Sequence, residues 1–162
     1  MASPIFTQLN PNFDFSDSLL CLKLFWRELF GMRSKESISR LELWFKERFH
    51  ASDAVAFDSG RGAWFAILKA LDLSAGSEVL LQPFTCVAAV DPVLWAGHKP
   101  VYVDVKSDTL TIDPKDLESK ITSKAKVILA QHTFGNTPDY AAIMKISKEH
   151  HLSVVQDCAH TL

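Results

Sequence analysis

The chain has 162 residues, 48% hydrophobic and 22% charged, with a formal net charge of −2. That length supports one domain with a real core, since folding at this size removes roughly 70% of the unfolded surface from water. The near-neutral balance gives no electrostatic basis for binding nucleic acid or an anionic membrane surface.

Cys21, Cys86 and Cys158 are odd in number and far apart, with no CxxC pair, so a reducing, cytoplasmic setting is expected. Residues 1–11 have neither a basic n-region nor an apolar h-region, and no secretory signal is expected there. Pro4, Asn10, Pro11 and Asn12 make residues 1–15 read as irregular.

Ser16-Asp17-Ser18 can cap a helix from about Leu19 to Phe30, closed by Gly31. Its surface is Leu, Phe and Trp apart from the Lys23–Arg27 stripe and Glu28, so it is expected to be covered by core or by another subunit. It falls short of the ~20 apolar residues that span a bilayer. A second helix, capped by Ser34 or Ser37, runs to about His50. Ile38, Leu41, Trp44, Phe45 and Phe49 recur on one face, which is expected to be buried.

From Ala54 the pattern becomes a regular alternation. Strands are expected at Val55–Phe57, Glu78–Leu81, Pro100–Asp104, Ala125–Ala130 and Ser153–Val155. Helices are expected at Gly60–Leu71, Thr85–Trp95 with Pro92 as a possible kink, Asp113–Pro114 onward, and Pro138–His150. Apolar strands joined by helical crossovers predict an α/β fold, a mostly parallel sheet with helices on both faces, preceded by a helical N-terminal arm. The expected division is residues 1–50 for the arm and its helices and 51–162 for the sheet domain.

Chemistry-bearing residues stand at the ends of these strands, the ligand edge of open α/β sheets. Gly60, Arg61 and Gly62 open a helix whose free N–H groups suit a phosphate. The dinucleotide fingerprint G-x-G-x-x-G is incomplete, because Phe65 replaces its third glycine, and Gln82-Pro83 supplies no ribose-binding acid. Thr85 can cap the next helix or bond a ligand. Cys86 is a nucleophile only with a base beside it and otherwise a small buried apolar residue. His132 follows the fourth strand as a structural or catalytic imidazole. Asp157 and His160 follow the fifth, where Asp157 can cap a helix or hold a magnesium ion, a ribose or a basic heterocycle. The histidines lack metal-ligand spacing, and no metal site is expected.

In this order, the segments 58–63, 94–105, 111–114, 132–139 and 156–160 resemble the large domain of the DegT/DnrJ/EryC1/StrS aminotransferase family. The resemblance begins near Ser34 and implies fold-type-I enzymes dependent on pyridoxal 5′-phosphate (PLP), many acting on nucleotide-linked keto-sugars. It implies that Gly60 and Arg61 offer N–H groups to the cofactor phosphate, with Thr85 and Cys86 alongside. Asp157 would pair with the pyridine nitrogen, His160 would lie near the ring hydroxyl, and His132 would lie close to ring or substrate. Cys86 stands where many members carry a stacking aromatic ring, and Arg61 where many carry Thr.

The family's Schiff-base lysine lies a few tens of residues beyond the Asp motif, and no lysine follows Asp157 here. The implied reading is therefore the N-terminal portion of an aminotransferase, inactive alone, with the rest of the PLP-binding domain and the small domain absent. Its intact relative would take a keto-sugar and an amino donor and would form a homodimer. The rival readings are a non-catalytic fragment or pseudoenzyme that binds a partner, and a nucleotide-binding α/β domain.

Overall fold

The computed structural model describes residues 14–30 and 35–161. The chain divides into two units, Met1–Ala56 and Phe57–Leu162.

In the first unit, helix α1 spans Phe15–Leu29. Its cap lies one turn earlier than Ser16-Asp17-Ser18. Asp14 Oδ1 accepts from the Asp17 N–H at 3.0 Å, and the Asp14 N–H donates to Asp17 Oδ2 at 3.1 Å. This is a capping box with aspartate in both roles. Helix α2 spans Lys35–Phe49. Ser37 therefore sits inside the helix instead of capping it, while Ser34 and Gly31 lie outside the described residues. The expected buried face is also absent. Ile38, Leu41 and Trp44 are about half exposed, and Trp44, Phe45 and Phe49 pack on one another.

Residues 55–57 do not form a strand. A strand needs a ladder partner for its backbone groups. Here the Ala56 N–H donates to Glu42 Oε1 at 2.9 Å, and Val55 and Phe57 are exposed.

The second unit holds four strands among the described residues: β1 (Glu78–Leu81), β2 (Lys99–Tyr102), β3 (Ala125–Gln131) and β4 (Ser153–Asp157). They lie in the order β2-β1-β3-β4, and every pairing is parallel. Helix α3 (Gly60–Ala70) precedes β1. Then α4 (Val87–Trp95), α5 (Pro114–Ser119) and α6 (Tyr140–His150) form the crossovers. The structure is thus an α/β fold with a parallel sheet between helices. Pro92 does not divide α4. Asp113 caps α5 by accepting from the Lys115 N–H, with Pro114 in the first turn, as its sequence predicts.

Strand alternation builds two cores. Val79, Leu81, Val127 and Leu129 face α3 and α4, where they meet Trp64, Leu68, Ala89 and Val93. Leu80, Ile128 and Ala130 face α5 and α6, where they meet Leu117, Ile143 and Ile146. The chain moves from β1 out to β2 and then back past β1 to β3, so its direction reverses between β1 and β3. Open α/β sheets bind ligands in the crevice at such a reversal, outside the carboxyl ends of the strands.

Ile128 is fully buried on an inner strand. Ile128→Ala should cost about 2–5 kcal/mol, the range for truncating a buried aliphatic side chain. Denaturant unfolding should show a lowered midpoint at unchanged slope.

Candidate functional site

The carboxyl edge of the sheet is built from four turns. The first is the start of α3. Ser59 caps it by accepting from the Gly62 N–H at 3.1 Å, and among the described residues the Gly60 and Arg61 N–H groups have no partner. Because residues 55–57 are not a strand, it is α3 itself that brings this turn to the edge. Its first turns lie beside the start of α4, the helix that follows β1. One turn in, Trp64 Nε1 donates to the Ala89 carbonyl on α4 at 3.0 Å. Gly62 is the constrained glycine: a Cβ there would stand 3.1 Å from Asp58 Oδ1 and 3.2 Å from the capping Ser59 Oγ, whereas one at Gly60 would meet nothing within 4 Å. The Arg61 side chain is exposed and makes no ion pair among the described residues.

The second turn follows β1. Gln82 is fully buried at the reversal point. Its Nε2 donates to the Phe84 carbonyl and Thr133 Oγ1, both at 2.7 Å, and approaches the Leu110 carbonyl at 3.3 Å. One amide therefore ties the β1 and β3 turns and the loop before α5 together. Thr85 does not cap α4. Cys86 holds the cap position without a side-chain bond, and Thr85 Oγ1 is buried with no partner.

The third and fourth turns follow β3 and β4 and interlock. Asp157 ends β4. Its Oδ2 accepts from Gln131 Nε2 at 2.8 Å, its Oδ1 from the Ala159 N–H at 3.0 Å, and its carbonyl from the His132 N–H at 3.0 Å. His132 Nε2 lies 2.8 Å from the Tyr140 hydroxyl, while His132 Nδ1 is buried without a partner. Beyond His132, Phe134 adopts a left-handed conformation, φ 53° and ψ 28°. That conformation costs a non-glycine residue roughly 1–2 kcal/mol. The Phe134 N–H donates to His160 Nδ1 at 3.1 Å, and the two rings lie parallel within 4°. Phe84 meets Phe134 edge-on at 6.0 Å.

The electrostatics follow from this crowding. Burial, helped by the negative potential of Cys158 and Asp157, raises the Tyr140 phenol from 10.0 to about 12. Burial and then the Asp157 charge push the Cys158 thiol up as well.

Asp157 and His160 are thus each bonded to the backbone of the turn that starts at His132, at His132 and Phe134 respectively. Gly60, Arg61, Thr85 and Cys86 make no bond to them. Gln82, Gln131, Tyr140 and Phe134 complete the arrangement and escape sequence reasoning, while Gly62, expected with Gly60 and Arg61 to offer a free N–H, has it taken by the Ser59 cap. Gln82 and Gln131 leave a faint signal, as polar residues closing apolar strand runs. Among the described residues no group of three or more His, Cys, Asp or Glu side chains is arranged to hold a metal ion. None of the described helices is long and apolar enough to cross a membrane.

Residues 30–162 match the profile of the DegT/DnrJ/EryC1/StrS aminotransferase family. The chain belongs to that family. It is 34% identical over 122 residues to the GDP-perosamine synthase of Escherichia coli O157:H7, a match covering 75% of this chain and 34% of that protein. It is 35% identical over 104 residues to the UDP-N-acetyl-3-dehydro-alpha-D-glucosamine 3-aminotransferase of Acidithiobacillus ferrooxidans, covering 64% of this chain and 28% of that protein. Among solved structures, NtdA of Bacillus subtilis, determined with its cofactor PMP bound, superposes with a TM-score of 0.85 at 28% identity, over 92% of this chain and 35% of its own. The matched region is about a third of the length of these relatives. The family's cofactor is PLP, consistent with the cofactor-bound neighbours.

The Tyr140 shift carries a pH signature. A phenol with a raised folded pKa keeps its proton in the folded state while the unfolded chain loses it. Its contribution to stability is therefore complete below pH 10 and lost as pH rises through about 12. In an ultraviolet titration one phenolate step should appear near pH 12, and Tyr140→Phe should remove it.

Proposed function

We propose that this chain is the N-terminal, cofactor-binding portion of a PLP-dependent aminotransferase acting on nucleotide-linked keto-sugars. One observation carries the reading. A carboxylate with each oxygen already oriented by a bond faces the same sheet edge as two unpartnered helix N-terminal amides and an unpartnered buried hydroxyl, in a chain of this family.

These residues fit the group. Carboxylate oxygens accept two bonds each, so Asp157 keeps capacity for a pyridinium N–H after Gln131 and Ala159 are served. The Gly60 and Arg61 amides at the positive end of α3, with Thr85 Oγ1, suit a phosphate. Cys86 offers no aromatic face, so stacking on the ring must come from another residue. When bound, PLP supplies an electron sink for the carbanion formed at the substrate carbon. Asp157 would keep the ring nitrogen protonated by its negative charge, and Gln131 fixes the carboxylate through its bond to Oδ2. His132, backed by Tyr140, presents Nδ1 for a hydrogen bond to ring or substrate. His160 presents its outer nitrogen near the ring hydroxyl. The division of labour within the chain is a helical arm over residues 1–50 and a cofactor-binding region over 51–162.

On this reading residues 1–162 hold the cofactor through non-covalent contacts, and none of their lysines forms an imine with it. Titration should show binding of PLP in preference to NAD, which separates the proposal from a nucleotide-binding domain. Borohydride reduction of the PLP complex should label surface lysines diffusely and none stoichiometrically. A single stoichiometric lysine together with turnover would sink the proposal. In a full-length version, Asp157→Asn should lose most activity while keeping its fold.

The phosphate cradle has its own test. Ser59 is extended at φ −157° and ψ 153°, as a residue before proline must be, and Gly60 opens the helix. Gly60→Pro therefore deletes one amide donor without disturbing α3. It should weaken PLP by about tenfold, the value of one hydrogen bond to a charged group, with an unchanged unfolding midpoint. Unchanged affinity would remove the Gly60 N–H from the cradle.

A further inference from the structure

The site contains a strained residue whose strain is not repaid by burial. Phe134 stands in the left-handed region, yet it is 58% exposed. Its neighbour Gly135, at φ 87°, lets the turn pass close to the His160 carbonyl, which would lie 3.8 Å from a Cβ there. The Phe134 ring lies parallel to the His160 imidazole at 5.7 Å between centroids. Its amide points at His160 Nδ1. A backbone N–H can only donate, so Nδ1 is unprotonated and the proton of the neutral ring sits on Nε2. The same turn begins at His132, whose N–H is fixed to the Asp157 carbonyl. Asp157 and His160 are therefore fastened to one turn at its two ends.

We infer that Phe134 is a positioning residue that sets His160 as a hydrogen-bond donor toward the ligand held by Asp157. Its amide occupies the Nδ1 lone pair and its ring fixes the imidazole plane. Nε2–H, on the far side of the ring from that bond, is left for an oxygen acceptor on the ligand. The left-handed backbone at Phe134 is the geometry that aims amide and ring at one imidazole together. The identity of the ligand as PLP, with its ring hydroxyl oxygen as the acceptor, rests on the function proposed above; the tautomer does not.

The test has two arms, both on the full chain. In the first, long-range proton–nitrogen correlation spectra of histidine-labelled chain, with His160 assigned by His160→Gln, should show Nδ1 unprotonated and Nε2 protonated without any ligand. Phe134→Gly keeps an amide and relieves the backbone, so its unfolding midpoint should hold or rise while the His160 tautomers become mixed. A protonated Nδ1 in the unaltered chain overturns the inference, and so does a tautomer unaffected by Phe134→Gly. In the second arm PLP is titrated to millimolar concentration. Phe134→Gly should weaken binding severalfold in the unaltered chain and have no further effect in a His160→Met background, and His160→Gln, which also donates, should bind better than His160→Met. An equal loss in both backgrounds would mean that the Phe134 ring touches the ligand directly and overturns the positioning role. Failure of the unaltered chain to bind PLP at all overturns the proposed ligand, and the first arm still decides the tautomer.

Discussion

The hydrogen bond from Gln131 Nε2 to Asp157 Oδ2 is the contact on which the rest of the site depends. The two residues are direct partners at the last rung of the β3–β4 ladder. A carboxylate at a strand end ordinarily rotates in solvent. Here the backbone register puts an amide opposite it, and the His132 N–H closes the ladder on the Asp157 carbonyl. The position of the charge is thus a property of the sheet and not of a loop. Rigid strand ends place a group more narrowly than loops do.

Gln82 has a parallel role at the end of the neighbouring strand. Its buried amide satisfies the Phe84 carbonyl and Thr133 Oγ1, and so draws the turns after β1 and β3 together where the chain reverses direction. An apolar residue of similar shape would leave those acceptors unpaired, and such groups cost more to bury than the bonds gain. The buried polar atoms without a partner at this edge are Gln82 Oε1 itself, Thr85 Oγ1, Gln131 Oε1 and His132 Nδ1, so the tie is made through the Gln82 Nε2 side alone.

Much of this was legible in the sequence. Apolar runs broken by turn residues delimited β1 to within its observed bounds, and Asp113-Pro114 announced α5 from its cap alone. What failed was whatever depends on a distant partner. Val55-Ala56-Phe57 has the composition of a strand, but a strand exists only with a neighbour, and Glu42 took the backbone bond instead. The spacing of α2 predicts an apolar face but cannot say what covers it. In the site, Asp157 and His160 could be singled out because they follow an apolar run. Tyr140 and Phe134 could not, because their importance lies in the contacts of a left-handed turn and of a helix start that spacing does not encode.

The two outer strands of the sheet differ in a way that bears on how the chain behaves in solution. In β2, Lys99 and Val103 donate to the Ser77 and Leu81 carbonyls, so Pro100 between them turns its nitrogen to the open side. A proline there has no proton to offer, and with a lysine beside it this margin is a poor template for another chain. β4 carries Ser153-Val154-Val155-Gln156-Asp157, without proline or lysine. Among the described residues no strand pairs with the outer side of β4, so that margin lacks the blunting features found on β2.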